Sequence, residues 1–336
     1  MTMKRIFSLL TVAAAAIAAV SCTCSPKKAL LPTISGKAGE VVIVIDKTDW
    51  EGAVGTELRD LLASDCPFLP QKEPLYTLVD IVPSAFTNIF QIHRNIIIVN
   101  IGNDVTEPGI IYRQDVWAQP QCVIGVNAID SDSALQLIAD NREMILNTIE
   151  QAERDRIIAN SIRYEERSIA PVVRGFIGGS PHFPTGYSIK KQTSDFIWIE
   201  YATTYVTQGF FVYRYPASGT ADDFQVGNIV AKRDEFLKDN VPGMFENTYM
   251  TTSDITTPGL EYIRYKGRDF AEVRGYWEVH NDYMGGPFIS HSFYSRDGKD
   301  IIVLEGFVYA PRYDKRHYMR EVESILYSFE WDDTED

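Results

Sequence analysis

Cysteine and histidine are scarce in this chain, with four of the first and five of the second in 336 residues. So few cysteines exclude a disulfide scaffold. The local signatures of common chemistries are also missing. There is no C-x-x-C pair, no H-E-x-x-H, no G-x-S-x-G elbow, no P-loop and no G-x-G-x-x-G. No residue pattern calls for a cofactor or a metal. Positive charge is in short supply: 32 Lys and Arg against 46 Asp and Glu leave a formal net charge of -14. Such a chain is repelled by phosphate backbones and anionic headgroups, which argues against a nucleic-acid partner. Beyond the amino terminus no apolar stretch approaches the roughly 20 residues a spanning helix needs.

What is present begins at that terminus. Lys4 and Arg5 precede Ile6 to Val20, a run that is apolar except for Ser8 and Thr11. A positive start, a short apolar core and small residues are the layout of a secretory signal; a retained signal anchor is the alternative. Ala19-Val20-Ser21 before Cys22 resembles the bacterial lipobox, with Ala19 where Leu is preferred. That resemblance implies cleavage before Cys22, a diacylglycerol on its sulfur and an acyl chain on its new amino group. Several such chains anchor stably, at about 0.8 kcal/mol per buried methylene. In the Bacteroidetes lipoproteins that this signal resembles, an acidic cluster after the cysteine marks export to the cell surface. Thr23 to Lys28 holds no such cluster, so the expectation is a periplasm-facing envelope protein joined to its membrane by lipid.

Residues 1–21 are thus expected to be a signal peptide and 22–39 a lipidated tether of about 20–25 Å span. An N-terminal half would cover 40–167, a β-rich half 168–330, and an acidic tail 331–336. Val41 to Ile45, Leu75 to Val82, Asn95 to Ile101 and Cys122 to Val126 read as strands. Thr48 to Glu51 has capping-box spacing ahead of a helix through Val54, Leu58, Leu61 and Leu62. Asp130 opens one long helix whose buried face would carry Leu135, Ile138, Ile145, Ile149, Ala152, Ile158 and Ile162. Its charged stretch around Glu150, Glu153, Arg154, Asp155 and Arg156 reads as exposed. The second half changes character: fifteen of eighteen tyrosines lie at or after Tyr187. Strand patterns run from Phe196, Gly209, Glu261, Phe270, Phe288 and Ile301, with helices near Val226 to Leu237 and from about Asp314. Strict βαβα alternation is absent. The expected fold is therefore α+β: mixed strands and helices, a long linking helix, then a Tyr-rich, mainly antiparallel sheet. Cys66 and Cys122 could pair; two separate buried thiols are favoured.

Several strings carry a family resemblance. Gly36-Lys37-Ala38-Gly39-Glu40-Val41-Val42-Ile43-Val44-Ile45-Asp46 is followed by Trp50 and Gly52, then Leu69-Pro70-Gln71, Glu73-Pro74, Pro83-Ser84-Ala85-Phe86, Asn88-Ile89-Phe90 and His93-Arg94-Asn95-Ile96. Together they resemble a family of uncharacterised Bacteroidetes lipoproteins, defined as a domain of unknown function. The resemblance runs from Gly36 to the final helix and implies an address, with no activity and no catalytic residues.

Four regions are candidates for a site. Ser84, Asn88, His93 and Arg94 stand before a buried strand, where polar groups can line a cleft or simply close a turn. Gly175 to His182 is glycine-rich, suiting a ligand or a mobile loop. His280 and His291 flank a plausible hairpin that could bring them together for metal or acid–base work, or be unrelated. Tyr309, Arg312 and Arg316 lie about a helix start, where basic residues oppose the dipole unless an anion compensates. Pairing with the chain's own carboxylates would do the same. The leading expectation is a non-catalytic module that binds an envelope protein or a cell-wall or glycan component. The alternatives are a hydrolase assembled from residues such as Ser84, His93, His182 and His291, and a structural assembly factor.

Overall fold

Val41 to Ile45 is apolar at every position and β-branched throughout, so a strand formed there needs cover on both faces. It has it. Strand β1 (Glu40–Val44) leads into α1 (Lys47–Glu51), α2 (Ala53–Leu62) and β2 (Thr77–Ile81). Then follow α3 (Asn88–Gln91), β3 (Asn95–Ile101), β4 (Gly109–Gln114) and β5 (Cys122–Ala128). The five strands order as β2-β1-β3-β5-β4, parallel except for the β4–β5 pair. One face packs Val41, Ile43 and Ile97 against Leu58 and Leu61 of α2 and against the helices that follow. The other packs Val42, Val44 and Ile96 against Phe86, Phe90 and Trp117.

Helices α4 (Ser131–Asp140) and α5 (Arg142–Arg163) come next. Asp130 caps α4 as its position suggests, accepting from the Ser133 amide at 2.8 Å. The expected single long helix is instead two, parted at Asn141, and Ile162 is exposed. The capping box is also corrected: Thr48 lies inside α1, and Gly52 separates α1 from α2. A Cβ at Gly55 would stand 2.0 Å from the Trp50 carbonyl, so only glycine allows that corner.

The second half supplies α6 (Ala170–Ile177), β6 (Gly179–Ser180), β7 (Ser188–Gln192), β8 (Phe196–Ala202) and β9 (Thr207–Pro216). It continues with α7 (Val226–Asn240), β10 (Met250–Thr252), β11 (Gly259–Tyr265) and β12 (Arg268–Val279). It closes with β13 (Gly285–Tyr294), β14 (Asp300–Tyr309), α8 (Arg316–Tyr327) and β15 (Glu330–Trp331). Eight strands form an antiparallel sheet ordered β10-β12-β13-β14-β9-β8-β7, with β11 also on β12. Alternation decides its faces. Phe210, Ile289, Leu304 and Val308 meet Val322 and Ile325 of α8, whereas Phe211, Val273, Val303 and Phe307 lie on the face of α7. The fold is α+β, with a mostly parallel first sheet and an antiparallel second one.

The computed structural model describes residues 30–332, and from Thr33 onward the chain forms one compact unit. Cys22 and the signal segment lie outside the described residues. The end of the expected tether is not free. Ser35 donates to the Ile92 carbonyl at 2.8 Å and accepts from the Arg94 amide at 3.1 Å, so residues 33–39 belong to the folded unit. Cys66 and Cys122 are unpaired, and burial pushes each thiol up to about 11.

Candidate functional site

The sequence candidates disperse. Ser84 is exposed on a short 3-10 turn and Asn88 is exposed at the start of α3. His93 is buried behind them, its ring between the Asn95 carbonyl and Glu40 and pressed on Gly36. Arg94 grips Glu153 with two 2.8 Å bonds. The glycine-rich segment is structural. Gly178, at φ +76°, closes α6, and Gly179 pairs with Trp331, where a Cβ would strike the Phe329 ring. His182 sits between Glu165 and Glu330. His280 stacks on Tyr249 beyond the end of β12. His291 lies six residues into β13 from Gly285, roughly 20 Å along the sheet, so the hairpin keeps the two histidines apart. Tyr309 ends β14 near Trp277, and Arg312 lies over the Tyr205 ring at 4.5 Å. Among the described residues no serine, threonine or cysteine side chain bonds a histidine ring, and no group of three or more His, Cys, Asp or Glu has metal-binding geometry.

Arg316 alone among the named residues opens onto a cleft of about 630 Å³ between the two sheets' layers. Its walls come from the Cys66–Leu69 loop, Tyr76, α5, β11, β12 and α8. The helix faces toward it are charged. Arg320 clasps Glu150 through Nε at 3.0 Å and Nη2 at 2.9 Å, and the Tyr76 hydroxyl donates to the same carboxylate at 2.6 Å. Arg154 donates to Glu323 at 2.7 Å, and its guanidinium covers the Tyr327 ring at 3.9 Å. The second Glu323 oxygen meets Arg274 at 3.1 Å, and Arg274 donates to Glu272 at 2.7 Å. Glu272 also accepts from the Tyr327 hydroxyl at 2.8 Å and faces His291 Nε2 at 3.1 Å. Most of the charged stretch of α5, expected in water, thus faces protein: Glu153 is fully buried, Glu150, Arg154 and Arg156 are partly so, and Asp155 alone of the five is exposed as expected.

The start of α8 explains its basic residues. Both oxygens of Glu73 accept from the backbone amides of Lys315 and Arg316, at 2.7 and 2.8 Å. The anion that the helix dipole calls for is the chain's own. The Cys66–Leu69 loop is held by strain and fit: Phe68 adopts φ +55°, and its ring fills the space that a Cβ on Gly259 would need.

His291 supplies a pH-dependent element. Burial pulls its pKa down from 6.5 to about 4, although the Glu272 carboxylate opposes the fall. The neutral ring therefore donates Nε2–H to Glu272. Burial would raise the Glu272 carboxyl, but Arg274 and its hydrogen bonds hold it well below the carboxylate range. As pH falls from 6.5 toward 4 the unfolded chain takes up a proton at residue 291 that the folded chain refuses. Stability is lost across that window, by about 3 kcal/mol in all. His291→Gln should remove this component. Urea midpoints measured at pH 7 and pH 4.5 should fall less for the variant than for the wild type, and equal falls would refute the assignment.

Sequence reasoning missed most of this site. The available signal was periodic charge: Arg316, Arg320, Glu323 and Tyr327 recur at helical spacing, as do Glu150 and Arg154.

Two family models match the chain. One, described as a domain of unknown function (DUF8532), covers residues 34–161, and another, also a domain of unknown function (DUF4837), covers 168–328. They meet between α5 and α6. A crystal structure from Bacteroides thetaiotaomicron VPI-5482 is similar at 11% identity and a TM-score of 0.26, over 47% of each chain. The chain thus spans about half the length of that protein. No curated protein matches it.

Proposed function

We propose that this chain is a lipid-anchored protein of the bacterial envelope, of the uncharacterised Bacteroidetes type that its sequence resembles, and that it binds a partner without transforming it. The ligand site is the cleft. Its volume of about 630 Å³ lies within the range of small-ligand sites, and its wall mixes apolar Leu69, Ile263 and Met319 with fixed guanidiniums and carboxylates. That wall is the observation on which the reading rests. Tyr265 and Tyr327 bring the tyrosine-rich half to it. The dispersed histidines argue against the hydrolase alternative. Among the described residues no helix is long and apolar enough to cross a membrane; the membrane link in this reading is the lipid that the lipobox resemblance implies on Cys22.

Cys66, on the cleft wall, offers a reporter. In the unit from Thr33 onward it is the one half-buried thiol, because Cys122 is buried. Peptidoglycan fragments, glycans and envelope extracts should be screened for slowing of Cys66 alkylation by iodoacetamide. A cleft ligand slows it severalfold; if no fraction does, the cleft is not a binding site. Mass spectrometry of the native protein tests the anchor, with the acyl mass expected on Cys22.

A further inference from the structure

Four arginines and four glutamates line the cleft, so its wall is formally neutral. Three of each are matched: Arg320 with Glu150, Arg154 with Glu323, and Arg274 with Glu272 and Glu323. Arg316 and Glu261 are left over. The Arg316 guanidinium bonds neutral oxygens, the Pro74 carbonyl and Thr77 Oγ1, and among the described residues no carboxylate lies within 4.0 Å of it. Glu73 is near but spends both oxygens on backbone amides. Burial and the adjoining Arg320 guanidinium pull the Arg316 pKa down, although the Glu73 and Asp314 carboxylates oppose the fall.

Glu261 presents the opposite case. It is exposed on β11, directly across from Glu272 of β12, and among the described residues its side chain has no hydrogen-bond or ion-pair partner. Like charges placed opposite each other on one sheet face repel. Glu272 is neutralised by Arg274 and bonded by Tyr327; Glu261 has nothing to offset its charge.

We propose that the cleft takes a short zwitterionic peptide, its terminal carboxylate held at Arg316 and its ammonium at Glu261. Apolar side chains between the ends lie on Phe68, Leu69, Ile263 and Met319. A neutral wall with one unspent charge of each sign disfavours ligands of large net charge and matches a dipolar one. This assignment rests on the binding reading above.

The test uses the unit from Thr33 onward and three probes: trileucine, N-acetyl-trileucine and trileucine amide. Calorimetric titration should show binding of the free peptide and at least about tenfold weaker binding of either capped form, as for a lost charge-assisted hydrogen bond. Glu261→Gln should bind free and acetylated peptide alike while still discriminating against the amide. Arg316→Gln should do the reverse. Unchanged urea midpoints establish that both variants fold. The proposal is overturned if capped and free peptides bind equally, if both variants weaken all three probes alike, or if trileucine does not bind. In the last case Cys66 alkylation separates the failures. Protection by some other ligand leaves the cleft as a site and removes only the peptide, whereas no protection by any ligand removes both.

Discussion

Replacing Glu305 by leucine should remove about 3–5 kcal/mol of folding stability, because it strands a permanent charge inside the second half. Glu305 of β14 and Arg233 of α7 are both fully buried. Arg233 donates to the carboxylate from Nε at 3.0 Å and from Nη2 at 2.8 Å, and its guanidinium lies over the Phe288 ring at 3.9 Å. Thr252 and Asp234 complete its contacts. Without Glu305 only Asp234, at the margin and 3.5 Å away, remains to face the cation.

The reciprocal change, Arg233→Met, should cost less, about 1–3 kcal/mol at pH 7. Burial already raises the Glu305 carboxyl above its ordinary pKa, even beside Arg233, so without the arginine it takes up a proton. The sign follows. A carboxyl whose folded pKa is raised favours the folded state at low pH and loses that advantage as pH rises. Arg233→Met should therefore sit closer to the wild type at pH 5 than at pH 7. The double variant Arg233→Met/Glu305→Leu should recover most of the loss, since an apolar pair replaces a buried ion pair at little net cost. Urea unfolding of the four proteins gives all these values, and a loss under 1 kcal/mol for Glu305→Leu would contradict the argument.

Glu153→Ala is the second large effect, again about 3–5 kcal/mol. One fully buried carboxylate on α5 holds Arg94 by two bonds, Arg156 at 3.0 Å and Asn95 at 2.7 Å. Removing it leaves two guanidiniums facing each other at the start of β3. Arg156 also donates to the carbonyls of Arg94 and Pro120, so the loss loosens α5 from the first sheet. Glu153→Gln retains shape and one acceptor and should lose less. Urea midpoints measure both, and equal stability of Glu153→Ala and the wild type would place Glu153 in water after all.

The longer strands of the second half, β8, β9 and β11 to β14, were readable because alternation over six to twelve residues is a local signal, whereas the shorter β6, β7, β10 and β15 were not read. The apolar stripe Val322, Ile325 and Leu326 likewise marks the last helix and its inward face, while Phe329 of the same period falls just beyond the helix end at Tyr327. The break at Asn141 was less visible, since the apolar period continues across it. The charges of α5 were misread for a definite reason. A run of Glu and Arg has the composition of a solvated face, and only the facing elements show that Glu150, Glu153, Arg154 and Arg156 have partners.

Those partners are distant in sequence: Arg94 and Glu153 lie 59 residues apart, Glu150 and Arg320 lie 170, and Glu73 is 242 from the amide it caps. Hydrophobic period, caps and charge balance act over a few residues, so the sequence by itself determined the α+β class, the last helix and the positions of most strands. Which charges are buried, how the halves close on a cleft, and which two of its eight ionic groups are left unmatched were decided only when the chain folded. Electrostatic partnership depends on distance in space and on exclusion of water, and neither is written in the order of neighbouring residues.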